Sequence, residues 1–278
     1  MSFRITYPGT GLAMVVITLL ITSCFPSQYY LSPFHANNQP YKAMPLRSDS
    51  VKSAVYAGGA LNLGLANDLY RDKNFGLQGN IHRAHQFNWL SLYYGANIAG
   101  GDYIVDPAYY YSGYRSVRGD QKPIVPGNKF YGSAGISGGA SLVIPFSSTG
   151  SEWRVLGVES NLQSEFGSYY QFRKNLPDTL VTATWKQPYY HTIGFTTNPM
   201  RKRRRNGEVV GCKFGVYFSP QPFRNSPFSY NRRTPIYFSG QLHFSNKNTV
   251  AFLQLNLGDF AGNIQVGVTS KLGKNKPR

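Results

Sequence analysis

The residues able to do chemistry are few and loosely spaced. Outside the N-terminal region the histidines are His82, His85, His191 and His243, and any of them beside one of the many serines would make a nucleophile-base pair for acyl transfer. No Gly-x-Ser-x-Gly, His-Glu-x-x-His or Gly-x-x-x-x-Gly-Lys-Ser/Thr pattern marks such a site, and His82-x-x-His85 has no neighbouring carboxylates to complete a metal site. The sequence therefore predicts structural histidines, no catalytic residue, no metal and no cofactor, and a protein that is not an enzyme.

Binding chemistry is better represented. Arg201-Lys202-Arg203-Arg204-Arg205 precedes Asn206-Gly207, a dipeptide that favours a two-residue hairpin turn. The run reads either as a solvated turn or as a grip on anionic headgroups or an acidic partner, at about 1 kcal/mol per basic residue near an anionic surface. Residues 102–129 carry Tyr109, Tyr110, Tyr111, Tyr114, Arg115 and Arg118, and residues 167–187 carry Tyr169, Tyr170, Phe172, Arg173, Lys174 and Trp185. Tyr, Trp and Arg dominate protein interfaces, so both segments are candidates for an outer-loop partner; a membrane-interface girdle is the competing reading.

The elements that must position these residues are strands. Tyr (21) and Phe (18) are abundant and Gly (29) and Pro (17) punctuate the chain, which suits many short strands, while charged residues make up only 15%, well below a soluble domain. The net charge is nonetheless +17, and removing residues 1–23 takes away only Arg4 among the charged side chains. So basic a chain suits nucleic acid, lipopolysaccharide or phospholipid headgroups, and its location must decide. Residues 11–20 form an apolar run too short to span a bilayer, followed by small residues, as in an export signal, which excludes nucleic acid as the expected partner. Ile21-Thr22-Ser23-Cys24 resembles the lipobox of bacterial lipoproteins, which implies cleavage before Cys24, acylation of that residue and membrane anchoring. Cys212 would then be the only thiol, leaving no disulfide.

Residues 25–50 are rich in Pro, Asn, Ser and Tyr without apolar period and read as a tether or plug-like segment. From Val51 onward, period-two alternation recurs in ten segments, near residues 55–63, 75–82, 90–98, 134–144, 156–165, 189–197, 210–218, 236–244, 251–257 and 264–271, with the sixth the least regular. None shows a helical period. One face is aliphatic and the other rich in Gly, Ser, Asn and Gln, matching a transmembrane barrel; period alone leaves a soluble barrel with the faces exchanged open. On the polar face, Glu159 and Glu165 are expected to point into the lumen and pair with Lys213, Lys271 or arginines. The connections at 85–88, 147–151, 200–207 and 245–248 are short, whereas 103–129, 167–187 and 219–233 are long, the alternation of periplasmic turns and outer loops.

The lipobox at Cys24, the tyrosine-rich tether, the Gly-rich alternating strands and Phe166-Gly167-Ser168-Tyr169-Tyr170 together resemble the outer-membrane β-barrel lipoproteins of the Bacteroidota. The expectation is an all-β, antiparallel up-and-down barrel of about ten strands: signal peptide 1–23, lipid-anchored tether 24–50, barrel 51–273 and basic tail 274–278. Both termini are expected on the periplasmic side of the outer membrane. The expected role is a binding or structural subunit of an envelope complex, touching outer-membrane phospholipid and lipopolysaccharide and a protein partner, with a stand-alone narrow channel or lipid-modifying enzyme as the alternative.

Overall fold

The computed structural model describes residues 29–35, 40–67, 71–106, 125–146, 150–176, 183–203, 207–221, 223–224, 232–246, 248–258 and 261–273. Ten long strands form one closed barrel: β1 (Ser53–Ala66), β2 (Asp72–Gln86), β3 (Leu90–Val105), β4 (Gly127–Pro145), β5 (Glu152–Phe166), β6 (Tyr189–Lys202), β7 (Val209–Phe218), β8 (Ile236–Asn246), β9 (Thr249–Gly258) and β10 (Ala261–Leu272). Each pairs antiparallel with its neighbours in sequence, and β10 closes on β1 from Ala261↔Ala66 to Leu272↔Val55. Every alternating segment of the sequence became a strand, including the irregular sixth. Closure leaves no free edge, as hydrocarbon requires of a spanning sheet.

The barrel is inside out relative to a water-soluble one. Leu77 is 64% exposed while its neighbour Gln78, on the other face, is 7% exposed, and the same contrast sets Leu61, Ile136, Phe238 and Leu242 against Asn62, Ser137, Ser239 and Gln241. The aliphatic residues of all ten strands thus form a continuous outer band, far beyond the roughly 300–600 Å² that is the largest apolar patch on a typical soluble monomer. The soluble alternative falls on this geometry.

The lumen is shaped by aromatic residues laid over glycines. Tyr93 sits directly opposite Gly139, Tyr217 opposite Gly194, His243 opposite Gly211 and Phe252 opposite Gly267. At each glycine an added β-carbon would collide with the facing ring. Here glycine is needed for the close approach of a large side chain that fills the interior.

The connections define two ends. β3, β5 and β7, which the long connections of the sequence follow, end at one mouth, called the long-loop mouth, and β2, β4, β6 and β8 end at the other, the short-turn mouth. Residues 168–175, read as loop from sequence, form helix α1 (Ser168–Asn175). Eight residues are too few for a helical period to register, yet Tyr169 and Arg173, four apart, share its buried face. Two short pairings complete the long-loop mouth: Tyr29–Tyr30 runs parallel to Ala183–Thr184, and Phe223–Arg224 antiparallel to Arg232–Arg233.

Gly194→Ala should destabilise the barrel by about 1–3 kcal/mol, because the Tyr217 ring has nowhere to move without losing its place in the lumen. The check is the temperature at which the folded form disappears on unboiled gels; an unchanged midpoint would contradict this packing.

Candidate functional site

The most heavily constructed region is the lumen, and what fills it is the N-terminal segment. At the long-loop mouth, Tyr30, Leu31 and Phe34 are buried among Ala66, Tyr103, Tyr131, Tyr169, Trp185 and Tyr190. Tyr169 presents its ring to Tyr103 at 4.0 Å and donates from its hydroxyl to the Leu31 carbonyl at 3.1 Å, so α1 clamps the segment from above. Trp185 N–H donates to the Tyr30 carbonyl at 3.0 Å, and Tyr103 donates to Asp72 at 2.9 Å. Arg173, fully buried, pairs with Glu165 at the top of β5. His35 lies between Trp185 and Tyr190. Burial, with the Arg173 cation nearby, lowers its pKa from the usual 6.5 to about 3, against a smaller opposing effect of the Ser32 backbone.

Deeper in the barrel, Tyr41 stacks on His243 at 4.5 Å, and His82 bridges the Ala43 carbonyl (2.8 Å) and Asn80 (3.0 Å). Glu159 accepts from Lys213 at 2.6 Å and from the Tyr217 hydroxyl at 2.9 Å. Lys42 also feels this carboxylate, and its buried ammonium makes no hydrogen bond among the described residues. At the short-turn mouth, Arg47 N–H donates to Glu152 at 2.7 Å, while Arg154 pairs with Glu152 at 3.1 Å and donates to the Pro45 carbonyl at 3.2 Å. Below these contacts a cavity of about 1420 Å³ opens, lined in part by Tyr41, Asp49, Lys202, Val209, His243 and Lys271. Among the described residues, apolar side chains fill the long-loop mouth and a vestibule opens at the other.

Arg154 is the functional residue that period-two reading hides. Counting in twos from Leu156 and Val158 puts it on the lipid face. The register shifts between Leu142/Val143 on one side of β5 and Arg154/Gly157 on the other, so the strand carries one extra residue and Arg154 turns inward. No composition signal announces that bulge.

The residues singled out from sequence meet varied fates. Glu159 and Glu165 do point inward, paired with Lys213 and Arg173; no ion pair forms to Lys271 among the described residues. Tyr169 and Trp185 cannot meet a partner as proposed: they are 0% and 3% exposed, consumed by holding the N-terminal segment, whereas Tyr170 is only partly buried. Tyr109, Tyr110, Tyr111, Tyr114, Arg115 and Arg118 lie outside the described residues, as do Cys24, Arg204 and Arg205. The basic run is divided: Arg201 is exposed, Lys202 turns inward to Ser48 (3.0 Å) and Asp49 (3.5 Å), and Arg203 pairs with Glu208 at 3.5 Å. The N-terminal segment begins at the long-loop mouth, whereas β10 ends at the short-turn mouth. Of the two readings of residues 25–50, tether or plug-like segment, residues 29–35 and 40–47 take the plug-like one, since they lie inside the barrel.

One serine and one histidine do meet. Ser160 and His191 share a 2.9 Å hydrogen bond on the outer wall, between the lipid-facing side chains of Leu162 and Ile193. On an apolar face two polar groups that satisfy each other need no further role.

No family model matches the chain, and no curated protein matches it. Among solved structures, the β domain of the Bordetella autotransporter BrkA aligns over 80% of this chain and 100% of its own, at 9% identity and a TM-score of 0.40. The COG4313 outer-membrane channel from Pseudomonas putida F1 aligns over 83% and 100%, at 10% identity and 0.38. The translocator domain of autotransporter NalP from Neisseria meningitidis aligns over 82% and 91%, at 10% identity and 0.33. Agreement at this level carries no argument about activity, and the barrel rests on its own strand register.

Two outcomes follow from these contacts. Glu159→Gln leaves the Lys213 ammonium without its partner in the lumen and should cost about 3–5 kcal/mol, whereas Lys213→Met leaves the carboxylate the Tyr217 hydroxyl and the nearby Lys42 and should cost markedly less. Thermal loss of the folded gel band ranks the two; equal losses would contradict the role given to Lys42. A neutral His35 contributes stability fully above pH 6.5, and this is lost as pH falls toward 3, because only the released imidazole takes up a proton. Protease cleavage near residue 35 in detergent should therefore rise through that window, and the rise should vanish in His35→Phe.

Proposed function

We propose that this chain is an outer-membrane β-barrel lipoprotein, acylated at Cys24, that serves as a binding or structural subunit of an envelope complex. The observation that carries the reading is the filled lumen. Tyr30, Leu31 and Phe34 close the long-loop mouth with buried aromatic packing, and Glu152, Arg154 and His82 hold residues 43–47 lower down. In this reading the segment obstructs the passage of solute. What such a barrel offers its surroundings is a rigid membrane-embedded body with large loops at one mouth and a basic rim and vestibule at the other.

The outer membrane as location is supported by the inside-out polarity and by a closed antiparallel barrel, the form in which strands cross a bilayer. Phospholipid and lipopolysaccharide are the lipids such a wall meets. Arg83 and Arg201, exposed at the short-turn ends of β2 and β6, suit anionic headgroups there. The candidates for a protein partner are Tyr109, Tyr110, Tyr111, Tyr114 and Arg115 of the sequence and the short-turn vestibule with Lys202 and Lys271. The chain brings no nucleic acid, cofactor or catalytic group into this reading.

A stand-alone channel would require residues 29–35 and 40–47 to leave the lumen. Purification of the tagged protein from its native membrane in mild detergent should yield a second protein at fixed stoichiometry by mass spectrometry. The same preparation should give no conductance step in planar bilayers. A lone protein that conducts would overturn the subunit reading in favour of the channel.

A further inference from the structure

The direction in which the N-terminal segment crosses the barrel decides on which face the residues before it emerge. Tyr29 N–H donates to Asn67 Oδ1 at 2.8 Å, and Tyr29 pairs with Ala183, so the segment starts beyond the strand ends at the long-loop mouth. At the other mouth Arg47 is held by Glu152, the chain turns with Asp49 N–H donating to the Leu46 carbonyl at 3.0 Å, and β1 begins at Ser53. Between them Tyr41 and Ala43 sit at the level of His243 and His82. The lumen is therefore crossed once, from the long-loop mouth to the short-turn mouth.

Cys24 precedes Tyr29 by five residues. A fully extended chain gains about 3.3–3.6 Å per residue, so Cys24 lies within about 18 Å of Tyr29. The hydrocarbon core is about 30 Å thick, and residues 30–35 and 40–47 already occupy the lumen between the two mouths. The far leaflet is out of reach.

We infer that the residues ahead of Tyr29 emerge on the long-loop side of the membrane, and that the acyl chains carried by Cys24 enter the leaflet on that side, opposite the end of β10. The second half rests on the reading of Cys24 as the acylated residue; the first half stands on the threading alone. Together they make the anchor a lock: the segment is held at one mouth by lipid and at the other by its covalent passage into β1, so it cannot slide out in either direction without extracting a fatty acid or unzipping the barrel.

The test uses the full-length protein in intact cells, with Cys212→Ser as background and three variants that each add one cysteine to it, Gln28→Cys, Lys174→Cys and Asn248→Cys, treated with a membrane-impermeant maleimide before or after cell breakage and read as reaction above that of the background protein, which retains Cys24. Lys174 is exposed on α1 at the long-loop mouth and Asn248 is exposed in the turn between β8 and β9, so they report the two faces whichever way the barrel is inserted. Gln28→Cys should react in the same condition as Lys174→Cys and at least tenfold less in the condition specific to Asn248→Cys. Reaction that instead follows Asn248→Cys would overturn the threading. In a parallel strain fed an alkyne fatty acid, with a specific protease site inserted between Gln28 and Tyr29, protease added to the Lys174 face should strip the lipid label from the barrel band. A barrel that never carries label overturns the Cys24 reading and with it the acyl half. A label that survives cleavage on that face overturns the placement of the anchor alone.

Discussion

An apolar outer wall leaves polar groups only one direction in which to be satisfied, and the structure follows from that constraint. Ten strands of alternating pattern turn their aliphatic residues to hydrocarbon, which forces Asn, Gln, Ser, His and ionised side chains into a confined lumen. An unpartnered charge buried there is costly. The barrel answers with internal pairs, Glu159 with Lys213, Glu152 with Arg154 and Glu165 with Arg173, stacked from the middle of the barrel to its two ends. The N-terminal segment completes the arrangement by offering backbone groups of its own: carbonyls at Leu31, Ala43 and Pro45 and an N–H at Arg47. It belongs to the interior as much as any strand does.

This division of labour explains the two mouths. At the long-loop end the lumen is closed by apolar contact, with Tyr169 on α1 pressed against Tyr103 and reaching Leu31. At the short-turn end it is held by charge and hydrogen bonds around Glu152 and opens into a vestibule. The described residues thus close one mouth by apolar packing and hold the segment at the other by charge and hydrogen bonds.

Much of this was legible in the sequence because a strand writes its two faces into alternate residues. Leu61, Leu77 and Leu253 on one face and Asn62, Gln78 and Gln254 on the other are enough to place ten strands and the direction of Glu159 and Glu165. The features that escaped are those without a period. Val155 adds a single residue to β5 and so turns Arg154 inward, and one bulge leaves no statistical trace. The helix at 168–175 spans barely two turns. Residues 25–50 read only as a tether or plug-like segment, because the partners that settle residues 29–35 and 40–47 lie far away in sequence, Leu31 touching Tyr169 and Arg47 touching Glu152. The segment's aromatic residues, Tyr29, Tyr30, Phe34 and Tyr41 in an otherwise polar stretch, were the available signal that it is buried. The same residues also hid the fate of Tyr169 and Trp185: an aromatic loop reads alike whether it meets a partner or packs against its own chain.

The measurement closest to the centre of this account is photo-cross-linking from position 41 in native membranes, with Tyr41 replaced by a benzophenone-bearing phenylalanine and the attachment sites read by mass spectrometry. A segment threaded through the lumen predicts cross-links within the same chain, to the peptides that contain His243 and Phe252, whose rings lie 4.5 and 6.1 Å from that of Tyr41. Cross-links only to lipid or to other proteins, with none to β8 or β9, would place the segment outside the barrel and contradict the account.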